Sequence, residues 1–243
     1  MNTKSTILKT AIICLFSMFT ANVHAQSISS LADFTAANAS MTSLDQVICA
    51  GKKVHLETPT PPANTTYVWE TRFPSADGSG TGTALAVNTG TFDEAAALAA
   101  GFYTYKLKAT NTLTGCSEIY DQLVFVLPEQ SVTVTAPSDV AACNNVSETF
   151  NFSSNVTGNT AAGFTFPLTY QWYTKASAGT ETAVATGGTL STLALTSPTT
   201  AESYEVYVKT TYALKSCDIV TSDKKTVTVT NGPTRPAITI AGN

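Results

Sequence analysis

Histidine is nearly missing from this chain, with two in 243 residues, His24 and His55. Charge is sparse as well: 12% of residues, 13 Lys plus Arg against 17 Asp plus Glu. So little imidazole excludes chemistry that needs several His bases or ligands. A formal net charge of −4 leaves no basic footprint for a nucleic acid. Helix-period segments are scarce, and after residue 25 no apolar run reaches the ~20 residues of a membrane-spanning helix. What the chain does have is 43% apolar residues, ample for a packed core, and 43 threonines. Little charge and much Thr point to β structure.

Residues 1–25 read as a cleaved signal peptide. Lys4 and Lys9 form its positive start, Ala11 to Ala21 its short apolar run, and Val23-His24-Ala25 a small-x-small site before Gln26. Its removal takes two lysines and no acids, leaving 11 basic and 17 acidic residues, a net of −6. The expected location is therefore secreted or at the cell surface, with no transmembrane segment once the signal is gone. Four cysteines remain: Cys49, Cys116, Cys143 and Cys217. An even number in an exported chain points to disulfides, of which four cysteines allow three pairings. Zinc is disfavoured, because the gaps of 67, 27 and 74 residues contain no close ligand pair. The expected metal and cofactor content is none.

An internal repeat sets the organisation. One copy runs Cys49, Tyr67-Val68-Trp69, Tyr103 to Lys108, Leu113, Cys116, Val124-Phe125-Val126. The other runs Cys143, Tyr170-Gln171-Trp172-Tyr173, Tyr204 to Lys209, Leu214, Cys217, Val227-Thr228-Val229. Tyr to Cys is 13 and Leu to Cys is 3 in both copies, while Cys to Trp is 20 in one and 29 in the other. The slack falls in a polar, Gly-bearing stretch, Ser153 to Gly163. Short alternating strands separated by Pro, Gly and Asn turns fill each copy. Asp93 to Ala100 (DEAAALAA) is the one segment that reads as a helix, with acids in its first turn and Gly101 after it. The fold class expected is all-β, two tandem immunoglobulin-like β-sandwich modules. The divisions are signal peptide 1–25, polar lead-in 26–43, module 1 at 44–128, module 2 at 131–231 and tail 232–243. Trp69, Trp172, Tyr103 and Tyr204, equivalent in the two copies and inside strands, are the expected structural core.

The string C-x-G-x-x-V-x-L (Cys49, Gly51, Val54, Leu56), then Y-x-W or YQWY, Y-x-V-x-V and a Cys before the last V-x-V strand, resembles a known repeat. It is similar to the tandem immunoglobulin-like and PKD-like modules of secreted and cell-surface proteins of the Bacteroidetes. The likeness covers about residues 44–231; the second copy departs from it with Asn144-Asn145 where the first has Ala50-Gly51. The tail from Pro233 resembles the opening strand of a further repeat. Because each copy brings its own two cysteines, pairing inside each copy, Cys49–Cys116 and Cys143–Cys217, is the expectation. The cysteines nonetheless lie 13 residues beyond their Tyr, unlike an antibody-type domain, where Tyr stands two before the second Cys.

No motif for catalysis emerges. There is no G-x-S-x-G, H-E-x-x-H or phosphate-cradling loop. His55 alternates with Val54 and Leu56 and falls on the solvent face of a strand. Asp77-Gly78-Ser79-Gly80 lacks the alternating ligands of a calcium loop and reads as a turn. The adjacent acids Asp93-Glu94 read as a helix start. Catalytic and cofactor-binding residues are therefore none, and the chain is expected not to be an enzyme. The function implied is a non-catalytic exported binding or spacer module of an adhesin-like surface protein, its partner an unidentified protein or glycan. The alternative is a carbohydrate-binding accessory fragment of a secreted enzyme, for which Tyr67, Phe73, Phe164, Phe166 and Tyr173 are the candidate aromatics.

Overall fold

The computed structural model describes residues 32–35, 46–137, 140–234 and 236. The expected signal peptide, most of the lead-in and most of the tail lie outside the described residues. In the first module the strands are β1 (Gln46–Ile48), β2 (His55–Glu57), β3 (Thr65–Phe73), β4 (Thr83–Val87), β5 (Thr91–Asp93), β6 (Gly101–Asn111) and β7 (Ser117–Val126). Five of them form a sheet in the order β1-β7-β6-β3-β4, and the pair β2-β5 packs over it through Leu56 and Phe92.

The second module contains β8 (Ser131–Thr135), β9 (Ala141–Cys143), β10 (Thr149–Thr157), β11 (Thr160–Ala161), β12 (Phe164–Thr165) and β13 (Leu168–Ala176). It continues with β14 (Glu181–Ala183), β15 (Thr192–Thr196), β16 (Ser203–Tyr212), β17 (Val220–Thr221) and β18 (Lys225–Thr230). Its large sheet runs β14-β13-β16-β18-β9, and the facing sheet runs β15-β10-β8. Apart from β8 and the short β11, β12 and β17, each strand has a counterpart in the first module, including the short edge strand that lies parallel to the last strand: β1 on β7, β9 on β18. The chain is two tandem immunoglobulin-like β-sandwiches.

Alternation explains the strands directly. In β8 Val132 and Val134 point into the core while Ser131, Thr133 and Thr135 face water; in β18 Val227 and Val229 do the same between threonines. Each module closes over its tryptophan, Trp69 or Trp172, both essentially fully buried. Tyr103 and Tyr204 stand near the start of their strands, and each hydroxyl donates to the carbonyl four residues upstream, Ala99 at 3.0 Å and Thr200 at 3.2 Å. These are the tyrosine corners of such sandwiches. Tyr103 is buried; Tyr204 is only partly so, packing at the margin of its core.

The helix expected at Asp93 to Ala100 does not form. Asp93 closes β5, the Glu94 amide donates to the Val54 carbonyl at 3.0 Å, and the Ala99 carbonyl is taken by Tyr103. An eight-residue helix is marginal on its own, so tertiary partners decide this segment. The longer stretch in module 2 is structured as well. It completes β10 and makes a hairpin, β11–β12, whose two turn residues Ala162 and Gly163 have φ of 51° and 82°. Positive φ at both positions is the type I′ signature of a two-residue hairpin.

Candidate functional site

The densest cluster outside the two cores lies where the modules meet. β7 ends in Leu123-Val124-Phe125-Val126 and Leu127 follows it, and all five side chains are buried. Val124 and Val126 face the first core, whereas Leu123, Phe125 and Leu127 join a separate cluster with Phe164, Phe166 and Tyr212 of the second module. Phe125 lies 4.6 Å from Phe102 and 5.3 Å from Phe166, ring centre to ring centre, and Tyr212 stands edge-on to Phe166 at 6.2 Å. The β11–β12 hairpin is the device that carries Phe164 and Phe166 to this seam.

Phe34 completes the cluster. It sits on a single helical turn, 32–35, fully buried, 4.8 Å from Phe125 and 5.3 Å from Phe166. The lead-in expected to be polar thus supplies a plug between the modules. The surrounding polar groups are also paired across the seam. Tyr212 donates to the Pro128 carbonyl at 2.6 Å, and burial pushes its hydroxyl pKa up to about 12. Thr210 donates to the buried Gln130 side chain at 3.1 Å, Lys215 reaches the Val47 carbonyl, and Lys52 pairs with Asp218 at 2.7 Å. The connecting residues are pressed against module 2: a Cβ on Gly158 would lie 2.1 Å from the Glu129 carbonyl oxygen.

The disulfide is at this seam, and it corrects the expected pairing. Cys49 of module 1 is bonded to Cys217 of module 2, with Cα atoms 5.6 Å apart, while Cys116 and Cys143 are free thiols. The reason is topological. Within a module the cysteine after the edge strand lies at one end of the sandwich and the cysteine of the β6–β7 or β16–β18 turn at the other. End-to-end packing brings the rear cysteine of one module to the front cysteine of the next, well within the ~7 Å limit for a disulfide.

Elsewhere the candidate side chains are engaged with one another. His55 is exposed on β2, with Nδ1 2.6 Å from Asp93 and Nε2 3.0 Å from Glu57. These hydrogen bonds, Asp93 first, raise its pKa and favour the imidazolium, which has no free nitrogen to act as a base. Glu94 is buried, accepting from Arg72 at 2.5 Å and Tyr105 at 2.9 Å. Burial and that bond to Glu94 push the Tyr105 hydroxyl well above its ordinary range. Asp77 forms a turn, accepting from the Ser79 amide at 3.0 Å. Among the described residues no group of three or more His, Cys, Asp or Glu is placed to hold a metal ion.

The candidate aromatics do not assemble into one surface. Phe164 and Phe166 are buried in the seam, and Tyr67 leans on the first core. Phe73 lies beneath Lys106, 5.6 Å from its ring centre. Tyr173 stacks on Tyr207 at 5.8 Å on the outer face of the large sheet of module 2. That stack is capped: the Lys209 ammonium is 4.4 Å above Tyr173, and Lys224 is 5.5 Å from Tyr207. Tyr207 donates to Glu181, which also accepts from Lys209 at 2.6 Å. The Lys209 and Tyr207 bonds hold the Glu181 carboxyl below its usual range, and burial with the Glu181 bond pushes Tyr207 up to about 12.

The fold and seam define a class, a linked pair of immunoglobulin-like sandwiches. No protein-family profile matches the chain, and no curated protein does. Solved structures with this architecture include a marsupial T cell receptor, 11% identical with a TM-score of 0.47, covering 79% of this chain and 72% of that one. The fibronectin(III)-like modules of Clostridium thermocellum CbhA are 15% identical, with a TM-score of 0.35 and coverage of 82% and 95%. The chicken CNTN1 FN1-FN3 domains are 12% identical, with a TM-score of 0.34 and coverage of 76% of this chain and 62% of that one. The chain thus spans less than two thirds of the chicken three-domain array. These are similarities of fold alone.

Proposed function

We propose that this chain is a non-catalytic exported binding or spacer unit of an adhesin-like surface protein, built to hold two sandwiches in one fixed relation. Sandwiches of this class commonly bind or space. The observation that carries the reading is the seam: six aromatic rings, Phe34, Phe102, Phe125, Phe164, Phe166 and Tyr212, locked by the Cys49–Cys217 disulfide. Two modules joined only by a flexible linker need neither. A fixed seam transmits orientation and load from one end to the other, leaving the outer loops free for recognition on a rigid scaffold. Residual dipolar couplings of the two modules test this. A single alignment tensor describing both is expected. Separate tensors would overturn the spacer reading, and so would turnover in a broad hydrolase screen that one Asp or Glu substitution abolishes without unfolding the chain.

A further inference from the structure

The two free thiols occupy the same structural positions as the two bonded ones. Cys49 and Cys143 each stand at the end of the parallel edge strand, since Ile48 opposite Val126 corresponds to Ala142 opposite Val229. Each also turns the chain the same way, its carbonyl accepting from the amide three residues on, Lys52 or Val146, at 3.1 Å. Cys116 and Cys217 each lie in the turn before the last strand, three residues after a leucine, Leu113 or Leu214. The rule this chain displays is that the rear cysteine of one module bonds the front cysteine of the next. Among the described residues Cys116 is a front cysteine and Cys143 a rear cysteine, and both are free.

A hydrophobic neighbour follows the same pattern at the front end. Leu214 packs against the aromatic seam, whereas its counterpart Leu113 is 75% exposed. At the opposite end Val146, 51% exposed, stands where the existing seam has Lys52. The two thiols sit at opposite ends of the pair and cannot reach each other within one chain. We propose that Cys116 and Cys143 are the two halves of a second seam disulfide, formed between copies of this chain joined head to tail.

Each bond takes one thiol from each copy. The Cys143 thiolate attacks an acceptor disulfide, protein or small-molecule, and releases one acceptor thiol; the Cys116 thiolate of the next copy then displaces the second. Two cysteine thiols are oxidised to one disulfide, two protons are lost, and the acceptor disulfide is reduced to two thiols. Because the contact is heterologous, it leaves a free half at either end and propagates from copy to copy. Outside the bond the contact is thin: Tyr212 and Leu168 of the existing seam correspond by register to Asn111 and Thr65 at the free front end. The disulfide therefore carries the association, and the series is reversible by reductant.

This inference rests on the spacer reading, deepening it by naming the partner, and the experiment separates the two. The chain is incubated in a glutathione redox buffer and followed by non-reducing electrophoresis and peptide mapping. A ladder of oligomers that collapses with dithiothreitol is expected, with a Cys116–Cys143 crosslinked peptide beside an unchanged Cys49–Cys217 one. The decisive arm mixes Cys116→Ser with Cys143→Ser protein. Neither can polymerise, and together they should give the mixed dimer in excess of the random proportion. Random or like-with-like crosslinking, or a monomer whose two thiols stay open to alkylation, would overturn the proposal. A monomer that keeps one alignment tensor would show that only the head-to-tail series had failed; separate tensors would remove the spacer reading as well.

Discussion

The two modules share a strand order and reach it with different interiors. In module 1 a bulge at Glu70 interrupts β3 between Trp69 and Thr71, turning Arg72 inward to Glu94 and Tyr105. In module 2 the β13–β16 ladder runs without a break from Leu168 to Ala176, and Val206 stands where module 1 has Tyr105. The tryptophans differ too. Trp172 donates its indole N–H to the Leu190 carbonyl at 2.8 Å; the buried Trp69 nitrogen has no partner among the described residues. One sandwich plan thus accepts a buried ion pair in one module and an aliphatic side chain at the equivalent place in the other, with the Arg72–Glu94 charges matched inside their own module.

That difference is most easily broken by truncation. Arg72→Ala strands Glu94 in the first core and should cost about 3–5 kcal/mol, felt by module 1 alone. Trp172→Ala should cost a similar amount, about 3–5 kcal/mol, in module 2 through the cavity it leaves. Denaturant melts followed by circular dichroism give each loss, and native-state amide exchange along the strands of each core assigns it to its module. The double variant Arg72→Met/Glu94→Gln sharpens the point. Removing both charges together should recover most of the stability, and failure to recover it would mean that the pair itself stabilises the fold.

Smaller effects probe the seam and the indoles. Gly158→Ala has both a φ of 78° and the Glu129 carbonyl against it, so a loss of roughly 1–3 kcal/mol is expected from strain. The loss should appear as loosening of the seam in amide exchange at Leu127 to Gln130. Trp172→Phe should cost about 1 kcal/mol more than Trp69→Phe, because only the first gives up a hydrogen bond. Equal costs in the two melts would show that the Trp69 nitrogen has a partner after all.

Much of this was legible in the sequence, and the reasons are specific. Period-two alternation and the Tyr-to-Cys spacing of 13 residues mark the strands and the repeat, since both record local geometry. Leu123 to Leu127 reads in the sequence as one more alternating strand; that both of its faces are buried follows only from the second module packed against it. Phe34 was not legible: a lone aromatic in a polar stretch reports burial only once its neighbours from residues 102, 125 and 166 are in place. The disulfide was misread for a related reason. Repetition says which cysteines are equivalent, but equivalent positions at opposite ends of a module bond between modules, a fact of stacking order. The bulge at Glu70 was equally silent, because one extra residue in β3 leaves the apolar pattern almost intact.

The faintest difference between the modules is electrostatic and lies on the outer edge of the first. His55 joins Asp93 and Glu57 across β2 and β5, and among the described residues it is the only histidine. Its pKa is raised above the ordinary value of about 6.5, chiefly by the Asp93 hydrogen bond and then by Glu57. The imidazolium is therefore bound more tightly in the folded chain than in the unfolded one. The resulting stabilisation is fully present below the unfolded value and fades as pH rises through the higher folded one. The site is solvent-exposed, so the effect on melting is small and confined to module 1. A titration of the His55 ring protons by NMR is the sensitive measurement. The midpoint should lie above that of a model peptide and fall in Asp93→Asn, with a smaller fall in Glu57→Gln. A midpoint unchanged by Asp93→Asn would mean that the β2–β5 pair does not hold the ring, leaving Leu56 and Phe92 alone to fix the small sheet on the large one.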